Sequence, residues 1–530
     1  MRKLKKTPSV LLGIISGALI TWGLSNFYKN STPQQYNQST FTYTVDLLQK
    51  KYVDVVNIDS LLNLVVPELL NKLDPHSEFI PKENLTTINE SIEGKFDGIG
   101  VVFNMATDTA MVLSVVVGGP GAKAGVEPGD RIIKVNDTIV AGVKLDQLEL
   151  VKKLRGVRGT QVKLGIQRGN SKEIIDFTLT RAEIRINSIE AQFLRKDSTG
   201  YLRINTFAAN TYMDAVNAMD KLISQGAKSI IIDLRGNGGG LLDQALMLAD
   251  EFLHKGQGIV YVEGAHFPRR EQLASGMGAF KDVELYVLID ESSASASEIF
   301  AGAMQDNERA VILGRRSFGK GLVQEQVPFK DGSAARLTVA RYYTPLGRPL
   351  QKPYTSGDSK SYEEEVLERY LNKEVSTGVN AHVDSSVTYT TKSGKVLFGG
   401  GGITPDVFVG IDTTELPKYF VELFNKNAIF LYAQQYTERY RSQINKISDV
   451  SQLDEFFAGR SDIYDGFINY AATSKGIKRP NATDRSEARE LVETQLRAYV
   501  ARNTPLGESG FYYYIQDIDD VFRRFEELGL

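Results

Sequence analysis

Two periodicities alternate along the chain. Phe41, Val45, Leu48 and Tyr52 recur at helical spacing, and a second apolar run over 61–73 carries Pro67, which predicts a kinked or split helix. From 96 to about 182 the pattern turns to short strands, Gly159-Thr160-Gln161-Val162-Lys163-Leu164 among them, with one helical stretch over 145–154. Next come a strand at Gly200-Tyr201-Leu202-Arg203-Ile204, a helix over 214–224, and Ile230-Ile231-Ile232, a β-branched run suited to a central parallel strand. Leu242, Leu246, Ala249 and Leu253 mark another helix. The unbroken apolar run 283–289 is bounded by charge, as expected of a strand buried on both faces, and Glu298, Ile299, Phe300, Ala303 and Met304 resume the helical pattern. Residues 335–341 alternate as a strand, whereas 358–380 is charged and predicts a solvated insertion. Near the end, Ala488, Val492, Leu496 and Tyr499 share a helical face, with Asp484 and Glu487 placed to cap it. The order of elements predicts a multidomain α/β chain with a β-rich insert, an N-terminal helical segment and a mostly helical C-terminal extension.

Length and charge narrow the class. A chain of 530 residues holds two to four domains with adequate cores, and a net charge of −3 supplies no basic excess for nucleic acid. Cysteine is absent, which excludes disulfides and thiolate chemistry; the four scattered histidines, His76, His254, His266 and His382, suggest no metal site. Arg2, Lys3, Lys5 and Lys6 precede an uncharged stretch, 10–24, in the layout of a signal segment. At 1.5 Å per residue that stretch spans about 22 Å, short of a ~30 Å hydrocarbon core. Ser25-Asn26-Phe27-Tyr28 is a poor cleavage site, while Trp22, Phe27 and Tyr28 suit a membrane interface. The expectation is an uncleaved anchor with its basic end in the cytoplasm and the bulk of the chain exported.

Candidate chemistry concentrates in 292–326. Ser-Ala-Ser-Ala-Ser lies between a predicted strand and a predicted helix, where unpaired N–H groups can hold a developing oxyanion. A serine needs a base, and none of the histidines is near in sequence. Lys320, in Phe318-Gly319-Lys320-Gly321, serves if burial makes its neutral form accessible. On these residues alone, plain packing and catalysis both remain open. The loop Arg235-Gly236-Asn237-Gly238-Gly239-Gly240 follows a strand but fits neither phosphate-loop pattern, so nucleotide binding is not expected. Gly98-Ile99-Gly100-Val101 has the make-up of a backbone nest for a peptide carboxylate.

The segment 292–326 closely resembles the core of the carboxy-terminal processing, or tail-specific, proteases, which are Ser–Lys endopeptidases. Their pattern sets a Gly-Lys-Gly lysine 25 residues beyond the nucleophile and a glutamine four further on. By that resemblance Ser295 is the nucleophile, Lys320 the base and Gln324 the residue that positions the lysine amine, with Ser293 and Ser297 as neighbours. The loop at 233–240 resembles the family's oxyanion loop, implying backbone donors at Gly239 and Ala296, although position 238 is glycine where the family often has proline. Residues 96–182 resemble a PDZ domain, with Gly98, Ile99, Gly100 and Val101 as the peptide-binding loop, supported by Gly119-Pro120-Gly121 and Glu127-Pro128-Gly129-Asp130. Leu73-Asp74-Pro75-His76-Ser77, Tyr342-Tyr343-Thr344-Pro345 and Gly401-Gly402-Ile403-Thr404-Pro405 match other family signatures, so the likeness covers about 41–409.

The resemblance implies a ClpP/crotonase-like protease core over 184–410 with an inserted PDZ domain at 96–183. It would be preceded by an anchor (1–30) and a helical segment (31–95), and followed by a helical extension (411–530) that carries no motif. The implied function is cleavage of proteins whose free, apolar C-termini the PDZ domain captures, on the periplasmic side of the cell envelope. No cofactor, metal or nucleic acid is expected; a homo-oligomer or an adaptor is compatible with the extension. Two rivals stand against it. Ser317-x-x-Lys320, Tyr370-Leu371-Asn372 and Lys392-Ser393-Gly394 imitate the motif order of penicillin-binding enzymes, but only if Ser317 and Lys320 share a helical turn. A membrane-tethered PDZ scaffold on a dead core is the other. His76 invites a reading as general base, but Asp-Pro-His-Ser is foremost a turn.

Overall fold

The computed structural model describes residues 40–169, 171–379, 384–460 and 462–530; the expected anchor at 1–30 and His382 lie outside these. The chain divides after Leu69 into two compact units. The first holds the helix Thr40–Lys51 and most of a second, Ile58–Asn71, which runs through Pro67 as one helix rather than splitting there. No helix among the described residues is long and apolar enough to cross a membrane.

In the second unit a six-stranded sheet runs in the order β1 (Ile189–Leu194), β2 (Thr199–Ile204), β3 (Ser229–Asp233), β4 (Glu284–Ile289), β5 (Val311–Gly314) and β6 (Val407–Phe408). Only β1 and β2 are antiparallel. The middles of the central strands are apolar, as in Ile230-Ile231-Ile232 and 285–289, because both faces are covered. One face, with Leu202, Ile230, Ile232, Val287 and Ile289, packs on helices α1 (Thr211–Ser224), α2 (Leu242–Asp250) and α3 (Ala296–Asp306). The other, with Phe193, Tyr201, Ile231, Tyr286 and Leu288, packs on helices drawn from 418–527. Period-two alternation thus divides Ile230-Ile231-Ile232 between two cores.

A second sheet flanks the core, pairing Glu78–Ile80, Leu322–Pro328 and Gly258–Gly264 with the strand Ala334–Tyr343. The β-rich insert is a separate six-stranded antiparallel sheet with its own core, which includes Ile99, Val112, Leu150 and Leu164. It joins the rest through a two-stranded stem, Lys95–Gly98 with Ala182–Arg185. Within the C-terminal helices, Ala482–Arg502 buries Ala488, Val492 and Leu496. Its cap is Asn481, whose side chain accepts from the Asp484 amide while the Asp484 carboxylate accepts from Asn481; Glu487 has no part in it.

The charged insertion expected at 358–380 is amphipathic: among its described residues, helix α4 (Ser359–Leu371) turns most of its side chains to solvent, and α4 and a short turn of helix, Glu374–Thr377, bury Tyr362, Arg369 and Glu374. Their charges pair among themselves and with Arg316 and Lys352, which makes burial tolerable.

Candidate active site

Strand β4 delivers the chain into a tight turn before α3. Ser293 and Ser297 are fully buried, and their hydroxyls donate to the carbonyls of Leu234 and Asn237 at 2.8 and 3.0 Å, tying the turn to the glycine loop. Ser295 between them is partly exposed and sits at φ 55°, a left-handed conformation that costs a non-glycine residue of order 1–3 kcal/mol. Strain of that kind holds a side chain out of the regular helix at its N-terminus.

Gly239 packs directly against this turn. A Cβ there would lie 2.8 Å from Ser295 Cβ and 3.0 Å from the Ala296 amide nitrogen, so only glycine fits. The expected oxyanion donors are therefore neighbours. The Gly239 N–H, however, donates to Asn237 Oδ1 at 2.8 Å in an Asx turn, and the buried Asn237 side chain also donates to Ile204.

Glu298 binds the two halves of the site together. Its carboxylate is fully buried and accepts four hydrogen bonds: from the Ser295 amide (2.9 Å), the Lys320 amide (2.8 Å), the Gly319 amide (2.7 Å) and the Ser317 hydroxyl (2.5 Å). Burial raises its pKa, against which all four donors act. Ser295 and Lys320 are thereby adjacent across one oxygen, though no hydrogen bond joins their side chains among the described residues. Segment 316–321 is not helical, so Ser317 and Lys320 do not share a helical turn, and Ser317 is spent on Glu298 and the Ile403 amide.

Lys320 is mostly buried. Burial, and secondly the Arg336 guanidinium, lower its amine below the ordinary lysine range, with Glu78, Glu298 and Asp74 opposing. Gln324, on Leu322–Pro328, donates through Nε2 to the His76 carbonyl. That carbonyl belongs to a turn built on buried Asp74, which accepts from the His76 and Ser77 amides at 2.9 Å and from Thr338 Oγ1 at 3.0 Å. His76 Nε2 lies 3.0 Å from the Tyr362 hydroxyl, and burial followed by the charge of Lys320 lowers its pKa to about 4. The Asp-Pro-His-Ser segment is thus a turn under Gln324. His254 and His266 lie on the exposed surface.

In the insert, the loop 98–101 is fixed by Gly121 and Val116, whose amides donate to the Ile99 and Gly100 carbonyls at 2.8 and 2.9 Å. The strand that follows, Val101–Thr107, is the sheet's edge, and helix Gln147–Leu154 shares its core. Glu298 carries the site yet was legible in the sequence only as the start of a helical pattern; Asn237 and Arg369 gave no separate signal.

Fold and site define a serine-type peptidase carrying a PDZ domain. A family model for peptidase family S41 matches residues 198–361, a PDZ-domain model 111–168, and a family of unknown function (DUF8443) 419–504. A probable CtpA-like serine protease of Staphylococcus aureus is 34% identical over 367 residues, which span 67% of this chain and 73% of that protein. Its counterpart from Staphylococcus epidermidis is 36% identical over 64% of this chain and 67% of its own length. Among solved structures, the photosystem II D1 C-terminal processing protease is 26% identical and covers 71% of this chain and 88% of its own, at a TM-score of 0.38. The chain belongs to peptidase family S41, the C-terminal processing serine proteases.

Proposed function

We propose that the protein is an endopeptidase that captures the free, apolar C-terminus of a protein substrate in its PDZ domain and cleaves by a Ser–Lys acyl-enzyme route. The observation that carries this is Glu298, whose one carboxylate holds the Ser295 and Lys320 amides side by side. Neutral Lys320 takes the proton from Ser295 as Oγ attacks the peptide carbonyl. The oxyanion is met by the Ala296 N–H at the start of α3, and by the Gly239 N–H once Asn237 releases it. The lysine ammonium returns its proton to the departing amine as the C–N bond breaks. A water, deprotonated by the same lysine, then opens the acyl ester. Gln324, its amide nitrogen committed to His76, keeps its carbonyl oxygen for the lysine amine. Support for peptide capture comes from the edge strand Val101–Thr107, open to a further strand beside the loop 98–101.

Ser295→Ala and Lys320→Ala should each abolish cleavage, with C-terminal peptide binding retained; an active Lys320→Ala variant would sink the mechanism. Because the base acts when neutral and its pKa lies below the ordinary lysine value, activity should climb from acid through neutral pH and level off once the amine is deprotonated. EDTA should leave it intact. The basic start and uncharged stretch at 10–24 support anchoring with the protease on the periplasmic side, possession of which N-terminal sequencing and protease protection in spheroplasts would check.

A further inference from the structure

The carbonyls of four consecutive residues just before Lys320 are met by the 358–380 insertion. Arg369 Nη1 donates to the Arg316 and Ser317 carbonyls at 3.2 and 2.8 Å, and Nη2 to Phe318 at 3.0 Å. The Tyr362 hydroxyl reaches the Gly319 carbonyl at 3.4 Å. Neighbouring carbonyl dipoles gathered on one side of an irregular segment repel, and a planar cation with several donors offsets that better than any neutral group.

The guanidinium is itself anchored. Glu365 accepts from Arg369 Nε and Nη2 at 2.8 and 3.0 Å, and also pairs with Lys352 and Arg316. Arg369 is almost wholly buried, so the contact is neither screened nor shared with solvent. From the far side, Glu298 holds the Gly319 and Lys320 amides. The lysine-bearing loop is therefore gripped by its carbonyls on the insertion side and by its amides on the nucleophile side.

We propose that Arg369, with Tyr362 beside it, is a positioning residue for the catalytic lysine: the insertion fixes the loop 316–319 so that the Lys320 amine is held desolvated and aimed at Ser295. The proposal rests on the Ser–Lys reading above. The groups that face the amine are Arg336, Glu78, Asp74, Glu298 and His76, none of which the substitutions below remove.

The test is Arg369→Lys, which keeps the charge but not the fork, assayed in the full-length protein beside Tyr362→Phe and Lys320→Ala. In a folded Arg369→Lys variant kcat should fall by about tenfold or more, since small misplacements of a reacting group are costly. The acid limb of the pH profile should move to higher pH as water reaches the amine, and the affinity of the PDZ domain for a C-terminal peptide should stay within about twofold. Tyr362→Phe should shift kcat and the limb in the same direction by less, and it decides the matter if Arg369→Lys does not fold. A folded variant with wild-type kcat and a superimposable profile overturns the proposal. If Lys320→Ala is active, the Ser–Lys reading falls; if it is dead while the other variants behave as wild type, only the positioning role does.

Discussion

The central sheet has two faces, and they are closed by different kinds of chain. The face under α1, α2 and α3 is covered by helices that arise between the strands themselves, so each strand–loop–helix step is local, and two of the three connecting loops carry candidate site residues. The face bearing Phe193, Tyr201, Ile231, Tyr286 and Leu288 is covered by helices more than a hundred residues downstream, rich in tyrosine and phenylalanine. Polar ties accompany that cover: Arg235, in the glycine loop 235–240, donates to Asp519 at 2.7 Å, and the buried Arg195 pairs with Glu526. A segment without recognisable motifs is thus half of the core that supports the site, and the residue before its last helix reaches the loop that packs on Ser295.

The comparison can be broken outright by removing 411–530. Exposing one whole apolar face of the sheet should leave no cooperatively folding protease core, as read by near-UV circular dichroism and resistance to trypsin. A truncated protein that is soluble and melts cooperatively would show the cover to be dispensable. Paired truncations of side chain sharpen it. Phe300→Ala, within α3, should destabilise by about 3–5 kcal/mol and also depress kcat, because α3 begins next to the proposed nucleophile Ser295; Leu496→Ala, covering the other face, should destabilise by about 2–5 kcal/mol with kcat kept in the folded fraction. Denaturant titration alongside activity distinguishes the two. A smaller effect lies in Glu365. Burial opposes its ionisation, but Arg369 and Lys352 prevail and hold its pKa at about 2 against an ordinary 4.5. It therefore contributes, by up to about 3 kcal/mol, fully above pH 4.5 and progressively less as pH falls toward 2. In Glu365→Gln the stability curve below pH 4.5 should be flatter than in the wild type.

Much of the site-bearing face was legible before any coordinates. Ile230-Ile231-Ile232 and the run 283–289 became parallel strands, and the Ser-Ala-Ser-Ala-Ser segment became the turn into α3. These signals are local: a strand's length, a small-residue turn and a helical period are written in contiguous residues. The insertion's exposed charge was legible but its buried stripe was not, because the partners of Arg369 and Glu374 include Arg316, some fifty residues earlier. The C-terminal helices showed which face of each is apolar, as at Ala488, Val492 and Leu496, but periodicity says nothing of what that face meets. Glu298 illustrates the same limit, since its four donors converge only after two distant loops are brought together.

The insert's stem is not its sole attachment. Arg441, in the C-terminal helices, donates to the Pro128 carbonyl at 2.8 Å, and the Glu438 carboxylate lies close to Gly129 in the same turn. The insert's apolar core is separate from that of the helices it touches. Its tilt is consequently governed by something like a magnetic catch rather than a dovetail: a charged hydrogen bond of about 1.5–3 kcal/mol, which can be made or lost without wetting either oily interior.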